Sequence, residues 1–187
     1  MYLTVRIWCD GSIRRTKIEG TNKNPRAAFA AWHADTGHYW SYQVYARNSS
    51  DAELSAVMVG LFWAWQQGFD RIIIHTDDQT IPGNLYGPNQ GNALGDLRAL
   101  IQSCAAEVEI IHIPRSQNGQ AHRLCNLAYQ EYLQDFRFPR KIKRKWSYRS
   151  LNTLKVAQSQ GYIKEVKLLS KEPSTNNKAL RTVGLER

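Results

Sequence analysis

The chain has 187 residues and 42% hydrophobic content, enough to bury one real core and most simply one domain with an appendage. No stretch approaches the roughly 18 uninterrupted apolar residues of a membrane span, and Met1-Tyr2-Leu3-Thr4-Val5-Arg6 lacks the order of a signal peptide, so a cytoplasmic protein without membrane attachment is expected. Three widely spaced cysteines, Cys9, Cys104 and Cys125, form no C-x-x-C pair; they argue against a disulfide framework or structural zinc site and read as buried reduced thiols.

Leu3, Val5, Ile7 and Cys9 alternate with Thr4, Arg6 and Trp8, which is strand periodicity, and a second extended run follows Pro25 over Arg26 to Ala34. Asp35-Thr36-Gly37-His38 reads as a hairpin turn into a third strand, Tyr39 to Arg47. Ser50-Asp51-Ala52-Glu53 is a capping-box pattern that predicts a helix through about Gln67, closed by Gly68. Arg71 to Thr76 is a continuous apolar run, as in a strand covered on both faces. A loop over Pro82 to Asn92 then precedes a helix near Ala93 to Ala106, a strand over Glu109 to Ile113, a short loop over Pro114 to Gly119 and a helix over Gln120 to Gln134. Three strands, helix, strand, helix, strand, helix predict an α/β mixed sheet with crossovers onto its later strands.

Three acids stand out against that pattern. Asp10 and Asp77 follow apolar strands, at the carboxyl ends where such sheets gather ligands. Glu53 opens a helix whose next apolar positions on the same stripe are Val57, Leu61 and Ala64, so it faces inward. Taken singly, Glu53 reads equally well as the capping partner of Ser50, and Asp10 as a turn residue before Gly11. An unpaired buried carboxylate is costly, and a divalent cation removes that cost.

The runs Asp10-Gly11-Ser12, Asn48 to Leu54, Thr76-Asp77-Asp78-Gln79 and Ile113-Pro114-Arg115-Ser116-Gln117-Asn118-Gly119-Gln120-Ala121-His122-Arg123-Leu124 resemble, in order, the four signatures of type 1 ribonuclease H. The resemblance covers roughly residues 1 to 135. It implies an RNase H-like mixed five-stranded sheet flanked by helices, and cleavage of the RNA strand of RNA/DNA hybrids with two Mg²⁺ or Mn²⁺ ions. Asp10, Glu53, Asp77 and His122 would then be the catalytic and metal-holding residues, with Gly11, Ser12 and Gln79 near the substrate. His122 departs from the family's usual fourth carboxylate; imidazole removes one negative charge and suits Mn²⁺ better than Mg²⁺, although some retroelement members carry histidine here. The loop over Arg115 to Gly119 lacks the histidine that some members use in product release, and Ser49-Ser50 stands where the family often has Asn-Asn. Asp78 adds a spare carboxylate. The remaining histidines, His33, His38, His75 and His112, read as structural, and Phe62, Trp63 and Trp65 as packing residues.

The charge is unevenly laid out: residues 1 to 138 hold 12 Lys+Arg against 13 Asp+Glu, while residues 139 to 187 hold 13 against 3. A chain division at 1–137 and 138–187 follows, the second part a basic C-terminal extension. Arg140, Lys141, Lys143, Arg144, Lys145 and Trp146 combine phosphate-gripping charge with an aromatic ring, a composition suited to nucleic acid. A strand is predicted over Tyr162 to Leu169. A solvated tail without a ligand is the alternative. For the whole chain the expectation is a monomeric endonuclease acting on hybrids; the alternative is a nucleic-acid-binding module on the same fold that has lost catalysis, and a DNA nuclease of the resolvase or transposase type fits the flanking sequences less well.

Overall fold

The computed structural model describes residues 2–15, 26–87, 92–137 and 167–168. Strands β1 (Thr4–Arg15), β2 (Arg26–Ala34) and β3 (His38–Val44) form an antiparallel meander. The β2–β3 turn is tight because Gly37 takes φ +87°, a conformation open to glycine, and donates its N–H to Ala34 O at 3.0 Å. Strand β4 (Arg71–Thr76) pairs parallel with β1, and β5 (Glu107–His112) parallel with β4. The sheet order is β5-β4-β1-β2-β3, and a two-residue strand β6 (Lys167–Leu168), inside the span predicted as strand, pairs with His38 and Tyr39 on the outer edge of β3.

Alternation along the strands builds two layers of core. Val5, Ile7, Cys9, Ala30 and Trp32 point toward helix α1 (Ser49–Gln66), while Ala27, Phe29 and Ala31 meet Leu124, Cys125 and Ala128 of helix α4 (Gly119–Arg137). Helices α2 (Thr80–Asn84) and α3 (Asn92–Ser103) complete the α1 side, where Leu97 and Leu100 join the same cluster. Gly60 lets α1 lie close to the sheet: a Cβ there would stand 3.1 Å from Ile7 Cγ2. Trp63 packs on Trp32 and Trp65 edge-on to Phe62, so both tryptophans are packing residues.

Several expectations change. β1 continues through Asp10 to Arg15 because β2 keeps pairing with it as far as Arg15 opposite Arg26, so Asp10 lies within a strand rather than after one. The N-cap of α1 is Asn48, whose side chain accepts from Asp51 N at 2.7 Å. Ser50 and Glu53 therefore form no capping box, and Glu53 is free for other work. The buried face of α1 is wider than one stripe: every residue from Ala52 to Ala64 is buried, since α1 is enclosed by the sheet on one side and α2 and α3 on the other. The Pro82 loop begins with helix α2 because Pro82 sits in its first turn, where a missing N–H costs nothing. Among the described residues no helix is long and apolar enough to cross a membrane.

Candidate active site

The parallel ladder between β1 and β4 ends at the pair Cys9 and Thr76, so Asp10 and Asp77 stand where the two strands part. Glu53 joins them through glycine: a Cβ at Gly11 would lie 2.0 Å from Glu53 N and 2.3 Å from the Ala52 carbonyl carbon. Only a residue without a side chain lets the first turn of α1 rest directly on β1, and the Gly11 N–H hydrogen-bonds to Glu53. The Thr76 hydroxyl, fully buried, donates to Glu53 Oε1 at 2.6 Å and accepts from Asp78 N at 3.2 Å.

The fourth wall comes from the start of α4. Asn118, 1% exposed, donates through Nδ2 to Cys9 O at 2.6 Å and to Asp77 Oδ1 at 2.7 Å, tying the middle of β1 to the residue that follows β4. One turn later His122 places Nδ1 2.8 Å from Asp10 Oδ1 and Nε2 3.5 Å from Asp77 Oδ2. Nε2 is buried and has no hydrogen-bond partner, the contact to Asp77 being too long and poorly aligned to count as one. Cys125, a further turn along the same face, hydrogen-bonds to Asp10, and its Sγ lies 3.2 Å from Ser12 Oγ.

Burial dominates the electrostatics. It pushes Glu53 well above the usual carboxylate range, the charge of Asp10 adds to this, and the Thr76 hydrogen bond opposes it. Asp10 is raised by burial as well, against the opposing pull of His122. Asp10, Asp77 and His122 each offer one ligand atom within 4.8 Å of the other two, a spacing that one cation can span.

The carboxylates open onto a cleft of about 320 Å³. Gly11 and Gln79 line it; Ser12 is turned to Cys125 on the α4 side. Ser49, Ser50 and Arg115 line it too. Asp78 also faces the cleft, but its Oδ1 accepts from Thr80 N and Oγ1 at 2.9 and 2.6 Å, fastening the start of α2. Arg140, Lys141, Lys143, Arg144, Lys145 and Trp146 lie outside the described residues. His33 and His75 sandwich Trp8, with centroids 5.0 and 4.8 Å away, and His38 leans on Trp63, so these three histidines pack away from the carboxylates. Thr76, Asn118 and Cys125 were not singled out by sequence reasoning. The first two carry a signal, polar residues at the junction of apolar strands and acidic or helical segments; Cys125 carries none beyond its spacing from His122.

A family model described as reverse transcriptase-like, of the RNase H-like group, matches residues 22–128, more than half of the chain. The chain belongs to this family. Its RNase H-like fold is shared with RNase H1 of Halobacterium salinarum, at 24% identity and TM-score 0.54, over 68% of this chain and 98% of that one. It is similar as well to LC11-RNase H1, crystallised in complex with RNA/DNA hybrid, at 19% identity and TM-score 0.55 over 69% and 99% of the two chains. The N-terminal RNase H domain of a Mycobacterium tuberculosis protein gives 20% identity and TM-score 0.55 over 71% and 98%. At these identities the likeness establishes the five-stranded sheet with flanking helices. No curated protein matches the chain.

Proposed function

We propose that this RNase H-like chain is an endonuclease that hydrolyses the RNA strand of RNA/DNA hybrids, using two divalent cations held by Asp10, Glu53, Asp77 and His122. The observation that carries the reading is the convergence of three acids from β1, α1 and β4, two of them buried, on one open cleft. Self-repulsion and desolvation make that arrangement unfavourable on its own. The donor set fits a cation: with the proton of His122 on Nδ1 and given to Asp10, Nε2 turns a lone pair toward Asp77 Oδ2 at 3.5 Å, and both are then acceptors. The hybrid bound by LC11-RNase H1 supports the substrate class.

Bound there, divalent cations supply Lewis-acid stabilisation of the reacting phosphate and acidify water. The protein's part is alignment. Thr76 fixes the carboxylate of Glu53, Asn118 fixes one oxygen of Asp77, and His122 with Cys125 fixes Asp10, so these side chains meet the substrate already oriented. Nitrogen in the donor set at His122 favours Mn²⁺ over Mg²⁺. Residues 138–187 add grip on the hybrid through Arg140, Lys141, Lys143, Arg144, Lys145 and Trp146, and the protein acts as a monomer.

The same contacts favour a second reading. His122 Nδ1 donating to Asp10 Oδ1 at 2.8 Å relieves part of the strain in the acidic cluster without any cation, as a binding module on this fold would need. Incubation with an end-labelled RNA/DNA hybrid, beside matched duplex DNA and duplex RNA, in Mg²⁺ and separately in Mn²⁺, separates the two. Cutting of the hybrid's RNA strand alone, abolished in Asp10→Asn with binding retained, supports the nuclease. Binding without cutting in either ion supports the module.

A further inference from the structure

We infer that Asp78 makes up the negative charge that a neutral His122 leaves missing, and helps to hold divalent cations in the cleft through their bound water; the inference rests on the nuclease reading above. Two divalent cations bring four positive charges. Ionised around them, Asp10, Glu53 and Asp77 return three, and imidazole, which ligates a metal as the neutral ring, returns none. Arg115, which also lines the cleft, widens the shortfall. Among the described residues that line the cleft, Asp78 is the one carboxylate left to close it.

The attachment of Asp78 suits that role. Its main-chain N–H donates to Thr76 Oγ1 at 3.2 Å, and the same hydroxyl donates to Glu53 Oε1 at 2.6 Å, so one fully buried side chain sets the position of both acids. The carboxylate gives one oxygen to the fold: Oδ1 accepts from Thr80 N and Thr80 Oγ1. Oδ2 takes no hydrogen bond and no ion pair with any described residue. Fastening the start of α2 does not call for a charge, because a neutral amide oxygen accepts the same two bonds. A fourth ionised group beside three acids instead adds to their mutual repulsion, unless positive charge comes among them. The ligand atoms that lie within 4.8 Å of one another belong to Asp10, Asp77 and His122. Asp78 is therefore no further ligand of that cation, and reaches it by way of water, which hard divalent ions keep in their coordination shell.

Asp78→Asn tests this, because asparagine keeps the Oδ1 acceptor for Thr80 and removes only the charge. The full chain is titrated with Mn²⁺ in the absence of nucleic acid, and free Mn²⁺ is counted by electron paramagnetic resonance, so the readout does not depend on cleavage. Wild type is expected to take up two ions, and Asp78→Asn to bind the weaker of them about tenfold less tightly or worse, within the range of about 10–100-fold that partners of metal ligands are worth. Thermal unfolding without metal should not fall, since the bonds to Thr80 are kept and one repelling charge is gone. His122→Asp supplies a carboxylate at the other position, and in that background Asp78→Asn should cost less than about threefold, because the two acids answer the same need. An Asp78→Asn chain that binds both ions as tightly as wild type overturns the proposal and leaves Asp78 as a fastening of α2. The same loss in both backgrounds overturns the compensation for His122. A wild-type chain that takes up no Mn²⁺ ends the two-cation reading itself, whereas uptake of two ions with Asp78→Asn unaffected ends this inference alone.

Discussion

Replacing Gly11 by alanine places a methyl carbon 2.0 Å from Glu53 N, 2.3 Å from the Ala52 carbonyl carbon and 2.5 Å from Glu53 Cα. All three are main-chain atoms of the first turn of α1, so no side-chain rotation relieves the clash. Ordinary contact begins at 3.4 Å, and opening the gap from 2.0 Å requires α1 to withdraw by about 1.4 Å at this end. Overpacking costs about 1–3 kcal/mol where neighbours can adjust, and a backbone obstacle puts Gly11→Ala at the upper end, about 3 kcal/mol. For a chain of this size that is a fall in Tm of about 6–12 °C. The withdrawal also pulls Glu53 from the Thr76 hydroxyl, now 2.6 Å away, and a misplacement of about 1 Å is worth about 100-fold in rate. Thermal melts of Gly11→Ala and Gly60→Ala, read beside hybrid cleavage, test this. At Gly60 the nearest atom is Ile7 Cγ2 at 3.1 Å, a methyl that can give, so about 1 kcal/mol is expected there. A Gly11→Ala protein melting within 2 °C of wild type would refute the seating of α1 on β1.

Burial, helped by His75, pushes His33 down to about 4. Between that value and the unfolded value near 6.5 only the unfolded chain takes up the proton, so His33 makes stability fall as pH drops through this window, by at most about 3 kcal/mol. Urea midpoints at pH 7 and pH 5 should therefore differ less in His33→Gln than in wild type; equal differences would contradict the buried, neutral imidazole. Asn118→Ala removes two short bonds and strands Cys9 O and Asp77 Oδ1, which should cost about 2–3 kcal/mol in chemical denaturation, and a loss under 0.5 kcal/mol would count against the clamp. Alanine at Arg140, Lys141, Lys143, Arg144 and Lys145 together should flatten the dependence of log affinity for hybrid on log salt by about 4. An unchanged slope would show that these residues do not meet phosphate.

Strand and helix order was readable because the apolar periods of 2 and 3.6 are strong in this chain, and the Asp10, Glu53 and Asp77 runs each carry local context. What escaped was decided in three dimensions. The extension of β1 past Asp10 depends on β2 as a partner, which no local period reports. The true cap of α1 was hidden because two overlapping patterns, Asn48 with Asp51 and Ser50 with Glu53, satisfy the same local chemistry; only the pull of Glu53 into the cleft separates them. Asn118 lay within a run already noted, yet its role arises from contacts across 109 and 41 residues to Cys9 and Asp77, distances at which sequence spacing carries no signal.

The clamp at Asn118 bears on how the protein is made. Asp10, Glu53 and Asp77 all precede it in the order of synthesis, and the groups that hold Asp10 and Asp77 in place, Asn118, His122 and Cys125, all belong to the start of α4. A nascent chain that has emerged only as far as β5 carries every acid but lacks the helix that draws them together, and it exposes the Ala27, Phe29 and Ala31 face as well. Docking of α4 is thus one event that closes the second core layer and completes the acidic centre. The ribosome delivers the acids early and their alignment late, so a partly made chain carries the three carboxylates without the arrangement that brings them together.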